Sequence, residues 1–454
     1  MDGVLINPAD NVVVRADGHK YACRAIETGE SVIKYGMPIG HATAAIAPGE
    51  HVHVHNLATN LAEKPVYGYR PKPSALRPVP CDATFRGYRH ADGRVGVRND
   101  LWIVPTVGCV NALAERLAAA VGGVALTHPY GCSQLGGDHE ATANALAALC
   151  HSPNAGGVLV VGLGCENNTP ESFRARVERL GALPNIRYLR AQDPGDEYVR
   201  GLALLAELDA ARPKVRTDIP ASELVVGLKC GGSDGFSGLT ANPLVGRFSD
   251  WLVARGGSTV LTEVPEMFGA ETLLMDRCRD RAVFDRCVRM IEDFKAYYAR
   301  HGQVCYENPS PGNKAGGIST LEDKSLGCVQ KGGTAEVADV LGYAERVRTR
   351  GLTLLTAPGN DLVSSTALAA AGCHLVLFTT GRGTPFGTVV PTVKVASNAA
   401  LAAAKPQWID WDAMTASDVG AFAAKVLAVA GGELTAAERY GARGIALFKD
   451  GVTL

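Results

Sequence analysis

The chain has 454 residues, with 45 Lys and Arg against 46 Asp and Glu and a formal net charge of −1. That balance excludes a strongly basic nucleic-acid binder and an acidic disordered tail, and 6% aromatic residues leave too few rings for a base-stacking platform. At roughly 100–200 residues per domain, the length suggests two to four domains.

Residues 1–63 read as a small β domain. DNVVVRA, KYACRAI, ESVIKYG and EHVHVHNL are short, β-branched segments separated by turn signals at Asp17-Gly18, Thr28-Gly29 and Pro48-Gly49. The composition then shifts: residues 64–85 hold Pro65, Pro71, Pro73, Pro78 and Pro80, a density that blocks helices and favours an extended, semi-rigid linker. A second domain is expected over 86–222 and a C-terminal one over 223–454. From about residue 99 the pattern alternates. LWIVPTVGC, GVALTH and GGVLVVGLGC read as strands, with helical spacing in VNALAERLAAAV and HEATANALAALC. The alternation resumes near 224 with ELVVGLKC, LVGRFSDWLVARG, STVLTEV and a long helix at 278–300. It ends with LTLLTAPG, STALAAAGC, HLVLFTT, TVKVAS and a helix at 418–430. Alternation of this kind predicts an α/β fold with parallel sheets, carrying the small β domain on a proline-rich linker.

The start, MDGVLINPADNVVV, reads as no secretory signal. The longest apolar runs, such as 156–164 and 373–378, are of strand length and fall short of the ~20 residues that span a bilayer. Twelve Cys without a signal are expected to be free thiols in a reducing cytoplasm. No membrane partner is expected; assembly as a homo-oligomer is.

In open α/β sheets ligands bind beyond the carboxyl ends of the strands. Four strands end in a Cys: Cys109 in TVGC, Cys132 in HPYGCS, Cys165 in GLGCENN and Cys230 in CGGSD. One such thiol reads as core packing; several on one edge suit iron, zinc or an iron–sulfur cluster. Their spacing is not that of CxxC pairs. EHVHVHN places His51, His53 and His55 at strand spacing on one face, a candidate divalent-metal site or else a solvated polar face. The candidate metal ligands are therefore His53, His55, Cys109, Cys132 and Cys165.

The block 307–331 is dense in polar residues, and Pro309, Pro311, Gly312, Gly316 and Gly317 predict an irregular, rigid loop there. It would present Asn313 and Lys314 to a carboxylate or hydroxyl. Glu322 and Lys324, on either side of Asp323, could hold a general base near a cation. The alternative is a solvated loop whose charges pair with one another. Lys314, Glu322 and Lys324 are the candidate catalytic groups. Arg382, between glycines at a strand end, is placed to fork onto a carboxylate. With it, Asn167, Ser233, Asp234 and Asn313 are the candidate substrate contacts. The chain has no GxGxxG after a first strand and no GxxxxGK[ST], which lowers nucleotide readings.

These motifs carry a resemblance. VIKYGMPIGHA, GEHVHVHNLATNL, YGCSQLGGDH, CGGSDGFSGLTANPLVGRFSD, TVLTEVPEMFGAE, YENPSPGNKAGGISTLEDKSLGC and TGRGTPFG, spread over nearly the whole chain, resemble the altronate/galactarate dehydratase family. The resemblance implies an SAF-type first domain. It also implies a sugar-acid substrate, D-altronate dehydrated to 2-dehydro-3-deoxy-D-gluconate in hexuronate breakdown, with Fe2+ or Mn2+ as activator. The His strand sides with the altronate branch; galactarate is the alternative substrate. A cysteine-ligated redox protein and a non-catalytic sugar-acid sensor are the readings from other classes. A labile iron–sulfur cluster is the alternative to a single ion.

Overall fold

The computed structural model describes residues 3–61 and 65–453. Two three-stranded antiparallel sheets build the first domain. One joins Val12–Val14, Lys20–Ala22 and His51–Val52. The other joins Ser31–Lys34, Met37–Ala42 and Leu57–Ala58. Strands this short bury little, and the apolar core of this domain is continuous with that of the C-terminal body: Val12, Ile26, Val32 and Ile39 share one cluster with Leu321 and Leu326.

Residues 65–83 form no helix or strand. Proline removes donors and fixes φ, so this strap is held from outside. Tyr67 donates to Glu271 at 2.5 Å and Tyr69 packs on Phe284. The Lys72 N–H donates to the Asp276 carbonyl and the Val79 N–H to that of Ala254.

The second body has a four-stranded parallel sheet in the order Val124–Ala125, Asp100–Pro105, Ala155–Gly162, Ile186–Arg190. The C-terminal body has a seven-stranded parallel sheet in the order Val337–Leu341, Gly351–Leu355, Ser258–Leu261, Val225–Cys230, Leu375–Thr380, Thr392–Ala396, Trp411–Asp412. Val226, Leu228, Leu375 and Leu377 are fully buried, as strands covered on both faces require. The chain leaves Val225–Cys230 for the neighbour on one side and later returns to the strand on the other. The crevice of this sheet therefore lies beyond Cys230 and Thr380. Arg281–Arg300 is a 20-residue helix capped by Asp280, close to the expected 278–300. No described helix is long and apolar enough to cross a membrane.

The expected irregular loop at 307–331 is corrected. Pro311–Ala315 is a short helix, with Pro at its first position and a Ser310–Asn313 capping box. Leu321–Cys328 is a second helix, capped by Thr320. All eight of its residues are buried. Pro309 precedes the first helix, Pro311 and Gly312 fill its first turn, and Gly316 and Gly317 close it.

Candidate active site

At the carboxyl ends of the C-terminal strands lies a cavity of about 520 Å³. It is lined by Gly231 and Gly232 after one strand, Pro265 and Glu266 after the next, Gly359 to Asp361 after a third, and Asn308, Ser310, Asn313 and Lys324 from the polar block. A larger groove of about 650 Å³ elsewhere is lined by Arg176, Arg179, Arg286 and Arg346 and contains none of the candidate residues.

Beneath the cavity runs a buried ion network. Glu263 follows its strand in the left-handed region at φ 72°, a strained conformation for a residue other than glycine. Its carboxylate accepts the Cys230 N–H at 2.9 Å and pairs with Lys229 and Lys331. Lys229 also reaches Asp361 at 2.8 Å; this carboxylate is one-third exposed. Glu266 divides its two oxygens. Oε1 takes Lys324 Nζ at 2.7 Å, while Oε2 takes the thiols of Cys230 at 3.1 Å and Cys328 at 3.2 Å. Burial alone would raise the Glu266 carboxyl, but Lys324, with Lys229 and Lys331 behind it, holds it down at about 2. Lys324 is raised in turn: burial opposes its charge, but Glu266 together with Cys328 and Cys230 outweighs burial.

Of the candidate catalytic groups, only Lys324 opens on the cavity, donating to Asn308 Oδ1 at 3.0 Å. Glu322 turns to the first domain, where it accepts from Thr59 Oγ1 and the Asn60 N–H; burial raises its carboxyl. Asp323 lies between Lys20 at 2.7 Å and Lys34 at 2.9 Å, all three side chains almost fully buried. Burial would raise Asp323, yet the two ammonium groups hold it well below the usual carboxylate range. Lys20, also facing Lys34, is pushed down to about 8 by burial. Lys314 is half-buried and makes its contact through its backbone carbonyl, with His53 Nε2 at 2.9 Å.

Asn313 lines the cavity and donates to the Ser233 carbonyl at 2.8 Å. The Ser233 hydroxyl is buried without a partner. Asp234 is saturated by the Phe236 N–H, Ser237, Ser397 and Asn398, so it braces the loop rather than offering a free carboxylate. Arg382 stands at the crevice, its N–H donating to the Gly232 carbonyl at 2.9 Å. Its guanidinium is exposed and has no ion-pair partner among the described residues.

The candidate metal ligands do not form one donor set. His51 ends its strand at Val52, and 53–56 is a turn, so the same-face strand is corrected. The imidazoles nevertheless cluster, joined by His19, whose Nδ1 lies 3.1 Å from His51 Nε2. His51 stacks on His53 and tilts against His55. Burial, with the neighbouring imidazoles, pushes His51 down to about 4. Cys109, Cys132 and Cys165 are exposed on the other sheet's edge. Their loops interlace: the Gly108 N–H donates to the Tyr130 carbonyl, the Asn168 N–H to that of Gly131, and the Ser133 N–H to Asn167 Oδ1. Asn167 thus ties two cysteine loops together. Among the described residues the one group of three metal-ligating side chains within 4.8 Å is Cys230, Glu266 and Cys328. Sequence reasoning missed Glu263, Glu266 and Asp361. The signal for the first two was the pair of Glu in TEVPE, at a strand end like those that carry Cys109, Cys132, Cys165 and Cys230.

Three family profiles match. They are described as the altronate/galactarate dehydratase SAF domain at 14–60, the D-galactarate dehydratase/altronate hydrolase second domain at 87–211, and the D-galactarate/altronate dehydratase C-terminal domain at 221–453. The chain is 54% identical to altronate dehydratase of Bacillus subtilis (strain 168), over 100% of this chain and 94% of that one. It is 53% identical to altronate dehydratase of Escherichia coli (strain K12), over 97% and 92%. With galactarate dehydratase (L-threo-forming) of the same strain it shares 34% identity, over 87% and 79%. With every domain matched in order and the buried network carried on those matched segments, the chain belongs to the altronate/galactarate dehydratase family.

Proposed function

We propose that this chain removes water from D-altronate to give 2-dehydro-3-deoxy-D-gluconate, as a hydro-lyase of hexuronate catabolism. The observation that carries this reading is identity above 50% to two altronate dehydratases over nearly the full length of both chains.

The cavity, with Arg382 beside Gly232 at its crevice edge, supplies the groups the reaction needs. The C2 proton, beside the carboxylate, is weakly acidic, and hydroxide at C3 is a poor leaving group. Arg382, planar and always charged, anchors the substrate carboxylate at the crevice. Asp361 is the accessible carboxylate of the cavity and takes the C2 proton. Lys324, held protonated by Glu266, gives a proton to the hydroxide leaving C3, so water departs. The enol then ketonises, and a proton passes from Asp361 to Lys324 through solvent to reset the pair. A divalent iron or manganese ion, when bound, would stabilise the negative charge that develops on the substrate. Twelve free cysteines support a reducing, cytoplasmic setting.

The test is turnover on a panel of sugar acids with Fe2+ under reducing conditions. D-Altronate should yield a 2-keto-3-deoxy acid. Turnover of galactarate with none of altronate overturns the substrate assignment.

A further inference from the structure

Cys230 ends the strand Val225–Cys230, and Cys328 ends the buried helix Leu321–Cys328. Nearly a hundred residues apart in sequence, their sulfurs stand 3.3 Å from each other, and both touch Glu266 Oε2. The three donor atoms form an almost equilateral triangle. A cation at a metal–thiolate distance of about 2.3 Å would stand roughly 1.4 Å out of its plane, without large movement of any donor. Glu266 already gives its other oxygen to Lys324, so the oxygen facing the thiols is not needed elsewhere.

The charges around the triangle also allow a cation. Lys229, Lys324 and Lys331 are matched by Glu263, Glu266 and Asp361. A divalent cation that displaces the two thiol protons to solvent adds two positive and two negative charges, so this balance is kept. Next to the triangle, on the Cys328 side, a void of about 10 Å³, close to the size of one water, is lined by Cys328, Lys324 and Ser233 but by neither Cys230 nor Glu266. The Ser233 hydroxyl that borders it is the buried one without a partner.

We infer that Cys230, Glu266 and Cys328 bind one divalent cation of borderline softness, iron(II) or zinc(II), in the floor of the cavity. Two thiolates and a carboxylate favour such an ion over manganese or magnesium. The inference draws on the proposed function only for the meaning of the cavity, and its test reads metal rather than turnover.

Co2+ serves as the probe, added to the anaerobically purified, metal-stripped full-length protein. A thiolate-to-cobalt charge-transfer band at one equivalent is expected in the wild type. It should persist in the triple variant Cys109→Ser, Cys132→Ser, Cys165→Ser and vanish in Cys230→Ser and Cys328→Ser. X-ray absorption of the cobalt-loaded triple variant keeps the test open if the buried variants fail to fold; it should count two sulfur neighbours. Wild type without the band, a band retained in either buried variant, or loss of the band in the triple variant overturns the site. So does a cobalt environment without sulfur. Metal analysis of the protein as purified then separates iron from zinc.

Discussion

Two parallel sheets in this chain end in cysteine-bearing loops, and the two edges are built in opposite ways. The edge of the second body leaves Cys109, Cys132 and Cys165 exposed on loops tied by backbone hydrogen bonds. The edge of the C-terminal body buries Cys230 and Cys328 among paired ammonium and carboxylate groups. A buried charge is tolerable only with its partner, so each residue of the second kind depends on the others. Position at a strand end marks both edges as places where chemistry can occur. The surrounding charge decides which edge is held rigid.

Breaking that dependence should produce the largest effects. Lys324→Met leaves Glu266 buried without its ammonium partner, a loss of about 3–5 kcal/mol for a broken buried pair. Activity should fall by more than about 100-fold, the scale of a lost acid–base group. Denaturant unfolding and kcat check the two together, and a variant as stable as wild type would refute the buried pairing. Asp323→Ala should cost a similar amount, about 3–5 kcal/mol, because Lys20 and Lys34 lose their shared carboxylate. Its signature is local: limited proteolysis should release the first domain while the C-terminal body stays resistant.

Acid gives the same comparison without mutation. The Asp323 carboxyl is depressed in the folded protein relative to its ordinary value of 3.8, so its contribution is fully present above that value. It is lost as pH falls towards the lower folded value. Lys20 and Lys34 face it directly, and Tyr35, Glu322 and His53 also feel its charge. First-domain release is expected below about pH 4, and Asp323→Ala should remove that step from the pH profile.

Arg382→Lys should weaken substrate binding by about 1.5–3 kcal/mol, the scale of a hydrogen bond to a charged group, since Lys cannot copy the planar fork. A KM unchanged within about twofold would rule the anchor out. The smallest effect belongs to the open edge: Cys165→Ser should shift stability by no more than about 0.5 kcal/mol, as for other exposed positions.

The alternating strands and helices of the body were legible because their periods are local. The strand-end rule led to Cys230 and Arg382 for the same reason. The fate of Glu322, Asp323 and Lys324 was not legible. A charge cluster flanked by Pro and Gly reads as a base beside a cation or as a solvated, self-paired loop, and the lysines that neutralise Asp323 lie about 300 positions away, in another domain. His19 escaped notice likewise, since its partner His51 belongs to a neighbouring strand. Glu266 was not legible, because nothing local shows that the fold turns a carboxylate towards two thiols from distant segments.

The proline-rich strap sets the terms on which the first domain meets the body. Pinned at Tyr67, Lys72 and Val79, it keeps that domain close to its docking site even when the contacts open. Docking is then a unimolecular step, and a short tether of this kind corresponds to an effective concentration on the order of millimolar. Reclosure is fast and independent of dilution. A first domain supplied as a separate polypeptide would have to reach a similar concentration before it occupied the body as completely.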